Sequence, residues 1–183
     1  QFVAIGSGGE NAIVLAAGPD GQVQPLWQCT SIDASTGVGT DADGGWNTDS
    51  FPIDHTKQYF VGQLFQCLGT MDGWAYLGIG QSTVRDIGGA VNANPYFGVT
   101  ARSGLTVGKF YLLAGYVLPS TYSGAQLNMS GIWDAATGVK LADGTDYQWV
   151  SGQTNTYQRS YLYYGSSGAI QRKPPPLVYL CDG

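Results

Sequence analysis

The sequence predicts an all-β protein, an antiparallel β-sandwich, and three observations carry that prediction. The first is composition. Of 13 acidic residues only Glu10 is a glutamate, and charged residues make up just 11% of the chain. Aspartate favours turns because its short side chain bonds the nearby backbone, whereas glutamate and lysine favour helix surfaces. With 28 glycines and 12 tyrosines, the chain reads as short strands joined by tight turns. The second is punctuation. Turn signals recur at Gly18-Pro-Asp-Gly21, Asp43-Gly-Gly45, Met71-Asp-Gly73, Asn92-Ala-Asn-Pro95, Ala142-Asp-Gly144 and Gly165-Ser-Ser-Gly168. The third is that no stretch shows helical periodicity.

The strands are expected between those turns. In order they are Asn11–Ala17, Val23–Cys29, Gln58–Cys67, Trp74–Gly80, Tyr96–Val99, Lys109–Leu118, Gly131–Asp134, Asp146–Val150 and Arg159–Tyr164. Ala135-Ala-Thr-Gly138 reads as a hairpin connection rather than a helical turn. Asp54, Thr56 and Lys57 read as a tight Asx-type turn feeding a strand at Gln58, and Pro95 forces an extended approach to Tyr96. Several strands are apolar on both faces. Phe110, Leu112, Ala114 and Tyr116 form one set, and Tyr111, Leu113 and Val117 the other. A strand of that kind is central in a sandwich or covered by a partner subunit.

One domain over residues 1–171 accounts for most of the length, followed by a Pro-rich arm or connector over residues 172–183. Pro174, Pro175 and Pro176 favour an extended polyproline path, while Leu177–Leu180 is apolar enough to be a last strand instead. The three cysteines, Cys29, Cys67 and Cys181, do not make a disulfide framework. A single Cys29–Cys67 bridge would need adjacent strands; otherwise all three are thiols. The longest apolar stretch, Ala12–Ala17, is far short of the ~20 residues of a membrane helix, so no membrane insertion is expected.

Charge narrows the partners. The net charge is −5 and no lysine or arginine precedes Lys57. Nucleic acid is therefore not an expected partner, because its capture needs clustered cations. Catalysis is not expected either. His55 is the only histidine, and there is no Gly-x-Ser-x-Gly elbow, no zinc-type spacing and no phosphate loop. Aspartate pairs of the kind glycoside hydrolysis uses abound, but they sit in turn contexts. The acidic loop around Asp41, Asp43 and Asp49 is a candidate calcium site, since hard cations take carboxylate and carbonyl oxygens. No bidentate glutamate follows it, and a glycine-rich turn with self-bonded aspartates is the favoured reading of the loop. No other cofactor is indicated.

Aromatic residues are the positive signal. A flat amphipathic ring serves both core and interface, and sugar rings present apolar C–H faces that stack on it. The residues expected to supply a ligand face are Trp46, Asn47, Trp74, Tyr76, Tyr96, Trp133 and Arg159.

Several motifs then combine in order: Asp43-Gly-Gly-Trp-Asn47, Phe51-Pro-Ile-Asp-His-Thr-Lys-Gln-Tyr59, Gly73-Trp-Ala-Tyr-Leu-Gly78, Asn94-Pro-Tyr-Phe97, Phe110–Val117, Gly131-Ile-Trp-Asp134 and Arg159–Tyr164. Together, over Ala17 to Tyr164, they resemble a module of bacteriophage tail fibres and related receptor-binding proteins, of the carbohydrate-binding jelly-roll type. Gln63 and Gln66-Cys67 depart from that pattern, where a charged residue is expected. The resemblance implies a jelly-roll-like sandwich, an extracellular virion location, homotrimeric assembly alongside other tail proteins, and attachment to host cell-surface glycan. It supplies no catalytic residue. A purely structural fibre or decoration module and a polysaccharide depolymerase fragment are the competing readings.

Overall fold

The computed structural model describes residues 2–5, 10–30, 44–48, 51–68, 74–79, 105–144, 146–156, 158–163, 170–173 and 177–181. These form an all-β, mainly antiparallel sandwich with no helix among the described residues. The strands are β1 (Phe2–Ile5), β2 (Glu10–Ala17), β3 (Val23–Thr30), β4 (Gly44–Thr48), β5 (Phe51–Pro52), β6 (Gln58–Cys67), β7 (Trp74–Ile79), β8 (Phe110–Leu118), β9 (Gly131–Asp134), β10 (Lys140–Asp143), β11 (Tyr147–Gln148), β12 (Asn155–Thr156), β13 (Gln158–Tyr163), β14 (Ile170–Lys173) and β15 (Leu177–Cys181). A four-stranded sheet runs β1-β4-β13-β7. The large sheet runs β10-β9-β8-β6-β14-β3-β2, with β15 also on β6 and the short β11 parallel to the end of β8.

The two sheets enclose the core. Tyr59, Val61, Gln63 and Phe65 of β6 lie opposite Val117, Gly115, Leu113 and Tyr111 of β8, and Ile132 of β9 continues the row from Leu113. All of these are buried, and strands of the small sheet approach β2, β3, β6 and β8. The alternation of a pleated strand thus assigns one apolar set of β8 to the core. Phe65 and Tyr111 pack with ring centroids 5.9 Å apart, and Trp149 meets Tyr59 edge-on at 5.4 Å. The buried tyrosines use their hydroxyls to fasten loops. Tyr59 Oη accepts from Asp54 N at 2.8 Å, and Tyr111 Oη from Thr106 N at 2.6 Å.

Local turn chemistry follows the sequence closely in two places. Asp54 Oδ1 accepts from Thr56 N (2.9 Å) and Thr56 Oγ1 (2.6 Å), Lys57 N donates to Asp54 O (3.0 Å), and β6 starts at Gln58. Gly18–Gly21 closes the β2–β3 hairpin, with Gly18 N donating to Gln22 O (2.8 Å) and Asp20 Oδ1 capping Gln22 N (3.0 Å).

Two expectations change, and one open alternative closes. The Gly44–Thr48 stretch, expected as part of an acidic turn, is strand β4, paired on both sides by β1 and β13. Pairing along two edges outweighs the weak strand preference of Gly44 and Gly45. Asp146–Val150 yields only the two-residue β11, because Asp146 is drawn into a side-chain network described below. Cys29 and Cys67 are not on adjacent strands. Both register against Gln171 of the intervening β14. Two strand spacings, roughly 9.5 Å, exceed the ~7 Å that a disulfide spans between Cα atoms.

Leu177–Cys181, which the sequence leaves open as arm or last strand, pairs with β6 from Leu177↔Gly62 to Cys181↔Gln58. The expected strand Tyr96–Val99 lies outside the described residues.

Candidate functional site

The second apolar face of β6 and β8 builds the site. Phe60 registers with Tyr116, Gly62 with Ala114, and Leu64 with Leu112. On β9, Gly131 continues the row from Ala114, and Trp133 the row from Leu112. Lys140 of β10 then stands beside Trp133. Three parallel rows result. The middle row, Gly62–Ala114–Gly131, has almost no side chain. Phe60 and Tyr116 rise on one side of it, and Leu64, Leu112 and Trp133 on the other. The outcome is an open trough crossing the strands, with a volume of about 580 Å³, completed at one end by Asn128, Met129, Asp134, Ala135 and Gly138. Phe60 and Leu64 are four residues apart, so the walls stand about 13 Å apart at the backbone.

Two glycines set the trough's shape. A Cβ on Gly62 would lie 3.0 and 3.1 Å from the Phe60 ring, so the missing side chain lets that ring lean over the floor, where it meets Tyr116 at 5.1 Å and 60°. A Cβ on Gly131 would collide with Lys140 Cε and stand 2.5 Å from Ala142 O. Its absence lets the lysine stem cross the strand. Lys140 Nζ then donates to Asn128 O (2.8 Å) and pairs with Asp143 Oδ1 (2.7 Å). It also lies 5.0 Å from the Trp133 ring centroid. Asn128 carries a left-handed backbone (φ 54°), a conformation asparagine tolerates better than most residues.

A buried carboxylate holds the rim of the trough. Asp146 Oδ1 accepts from Ser130 N and Ser130 Oγ, both at 2.7 Å, and Oδ2 from Met129 N at 3.1 Å. Ser130 Oγ accepts in turn from Tyr116 N at 3.0 Å. Gln126 closes the network on the Asp146 backbone, at 3.0 Å to its carbonyl and 3.2 Å from its amide. The Asn128–Ser130 segment and the Tyr116 wall are therefore tied to one residue.

Asp134, the acidic group lining the trough, is engaged in its own hairpin. Its Oδ1 accepts from Thr137 N (3.0 Å) and Ala136 N (2.9 Å), and Lys109 Nζ lies 3.9 Å from Oδ2. The amides of Thr137 and Ala136 hold its carboxyl below the usual aspartate range.

The sequence-derived ligand residues separate. Trp133 lines the trough. Trp46, Asn47, Trp74, Tyr76 and Arg159 belong to the small sheet. There Asn47, Arg159 and Gly78 form one cross-strand row, Gly45, Tyr161 and Tyr76 the next, and Trp74 pairs with Tyr163 beyond it. Trp46 falls in an alternate row with Ser160 and Leu77. Tyr96 and the calcium candidates Asp41, Asp43 and Asp49 lie outside the described residues. Among the described residues no group of three or more His, Cys, Asp or Glu is placed to hold a metal ion. His55 lies outside the trough, its Nδ1 2.6 Å from Ser120 Oγ, and with Ser120 N donating to His55 O (2.8 Å) it fastens two turns together.

Sequence reasoning missed Phe60, Leu64, Leu112 and Tyr116 as site residues. For Leu112 and Tyr116 the signal was the two-sided apolarity of β8, read as a central strand or a covered face; the second face is the trough.

Fold and site together define a β-sandwich module with an open aromatic trough across one sheet. Solved structures similar to it include an arabinose-bound GH51 α-L-arabinofuranosidase, with a TM-score of 0.56 and 11% identity over 98% of this chain and 23% of that one. An exo-β-agarase matches with a TM-score of 0.55 and 8% identity, again over 98% of this chain and 23% of its own. A CBM4 structure matches with a TM-score of 0.44 and 10% identity, over 98% of this chain and 94% of its own. This chain thus spans about a quarter of the length of the first two. No protein-family model and no curated protein sequence matches it.

Proposed function

We propose that this is a non-catalytic glycan-binding module that lays a saccharide chain across β6, β8 and β9. The observation that carries the reading is the trough floored by Ala114 between the Phe60–Tyr116 and Leu112–Trp133 walls. A longer side chain at Ala114 would fill the trough. A flat ring with one apolar face is the ligand that such a floor and such walls accommodate, and stacking on aromatic rings supplies affinity without a charged partner. The fold recurs in an arabinofuranosidase with arabinose bound and in an agarase, which accords with a saccharide ligand.

The absence of catalysis is part of the proposal. A general acid for glycoside cleavage needs a raised pKa, whereas Asp134 is held low by turn amides. The setting is a phage tail fibre, on the motif order over Ala17–Tyr164, with host surface polysaccharide as ligand and a homotrimer as the assembled form. Ile13, Leu15 and Val23 on the β2–β3 hairpin are 61, 74 and 73% exposed, an apolar surface suited to contact between subunits. This patch equally favours a second reading, a module that only trimerises and spaces its neighbours.

Retention of the folded protein on polysaccharides, by affinity electrophoresis or whole-cell binding, separates the two. Glycan binding predicts retention that Tyr116→Ala and Trp133→Ala each weaken at least about tenfold. A folded protein that no polysaccharide or cell surface retains sinks it. Released oligosaccharide on incubation would overturn the non-catalytic part, and a monomer by light scattering would overturn the trimer.

A further inference from the structure

We infer that Lys140 makes this trough selective for acidic saccharides, reading a carboxylate carried by the sugar that lies against Trp133; the inference rests on the glycan-binding proposal above. The position of the ammonium is built. Gly131 leaves room for the stem to cross the strand, and the left-handed Asn128 directs its carbonyl at Nζ, 2.8 Å away. The ammonium then stands 5.0 Å from the Trp133 ring centroid and lines the trough.

The charge there is incompletely neutralised. An ammonium has three N–H donors. Asn128 O takes one and brings no formal charge, and Asp143 takes another at 2.7 Å. Asp143 is 73% exposed, so water screens that pair and a ligand anion can replace it. The competing acidic group of the trough, Asp134, is already engaged by two turn amides and by Lys109. A uronic acid seated beside Trp133 would place its carboxylate within reach of Nζ, which lies over that ring, and a charge-assisted hydrogen bond is about twice as strong as a neutral one. Trp133 would then supply ring recognition and Lys140 the sign of charge.

The test is binding to polygalacturonate, alginate and hyaluronate against galactan, xylan and carboxyl-reduced polygalacturonate, measured by affinity electrophoresis and calorimetry. The inference predicts retention by an acidic polymer, weakening as salt rises from about 50 to 500 mM. Lys140→Met should weaken it at least about tenfold and Lys140→Arg should largely preserve it, while Asp143→Asn strengthens it by removing the competitor. Unfolding curves confirm that each variant folds. Equal binding of native and carboxyl-reduced polymer, or an unchanged Lys140→Met, overturns the selectivity while leaving glycan binding intact. If neither polymer class is retained by the folded protein, the glycan-binding proposal falls with it.

Discussion

Replacing Asp146 by alanine is the sharpest structural perturbation available. The carboxylate is buried and accepts three hydrogen bonds, from Ser130 N, Ser130 Oγ and Met129 N. Alanine leaves the wholly buried Ser130 amide and the half-buried Met129 amide without an acceptor. Each unsatisfied buried donor costs about 1–3 kcal/mol. The Ser130 hydroxyl can rotate and still accept from Tyr116 N, so it adds little. The sum is about 2–6 kcal/mol, a fall in Tm of roughly 4–24 °C for a chain of this size. Asparagine keeps one acceptor oxygen but turns an NH2 group toward a donor amide, so Asp146→Asn should cost about half as much. Urea unfolding followed by tryptophan fluorescence measures both, and the midpoint should fall with an unchanged slope. The Asn128–Ser130 rim loosens in the same variant, so ligand binding should weaken too. An Asp146→Ala protein within ~0.5 kcal/mol of the parent would refute the claim that this network organises the rim.

Three further outcomes follow from the same geometry. Leu113→Ala should cost about 2–5 kcal/mol in urea unfolding, because it empties a core position between Gln63 and Ile132. Asp134 has a folded pKa below its ordinary value of 3.8, with Thr137 and Ala136 amides as the main cause. Its stabilising contribution is therefore present above pH 3.8 and is lost as pH falls through the lower folded value. Asp134→Asn keeps an acceptor for the turn but does not titrate, so its stability below pH 3.8 should decline less steeply than the parent's. Finally, Ile13→Asp with Leu15→Asp should shift any oligomer toward monomer in light scattering without unfolding the chain, since both side chains are largely exposed.

How legible the molecule is depends on the range of the forces involved. Gln58–Cys67 and Gly131–Asp134 emerge at their sequence-derived boundaries, and the Asp54 turn forms with the bonds its residues suggest, because these features are decided within a few neighbours. β4 is different. Gly44 and Gly45 become strand only because β1 and β13 flank them, and no local pattern encodes that pairing. The same limit scatters the aromatic residues. Strand chemistry places Trp74 and Trp133 on strands, but it does not assign a strand to a sheet, and at Trp46 the sequence reads as a turn where β4 forms. The trough was half visible: β8 showed two apolar faces, and only the pairing with β6 and β9 turns one of them into walls on either side of Ala114.

Filling that floor tests the central claim most directly. Ala114→Met adds a side chain in the middle row, between Gly62 and Gly131, and removes no hydrogen bond. A saccharide seated in the trough requires that the folded variant lose its retention on the bound polysaccharide. An Ala114→Met protein that binds that polysaccharide as tightly as the parent would contradict the trough as the binding site.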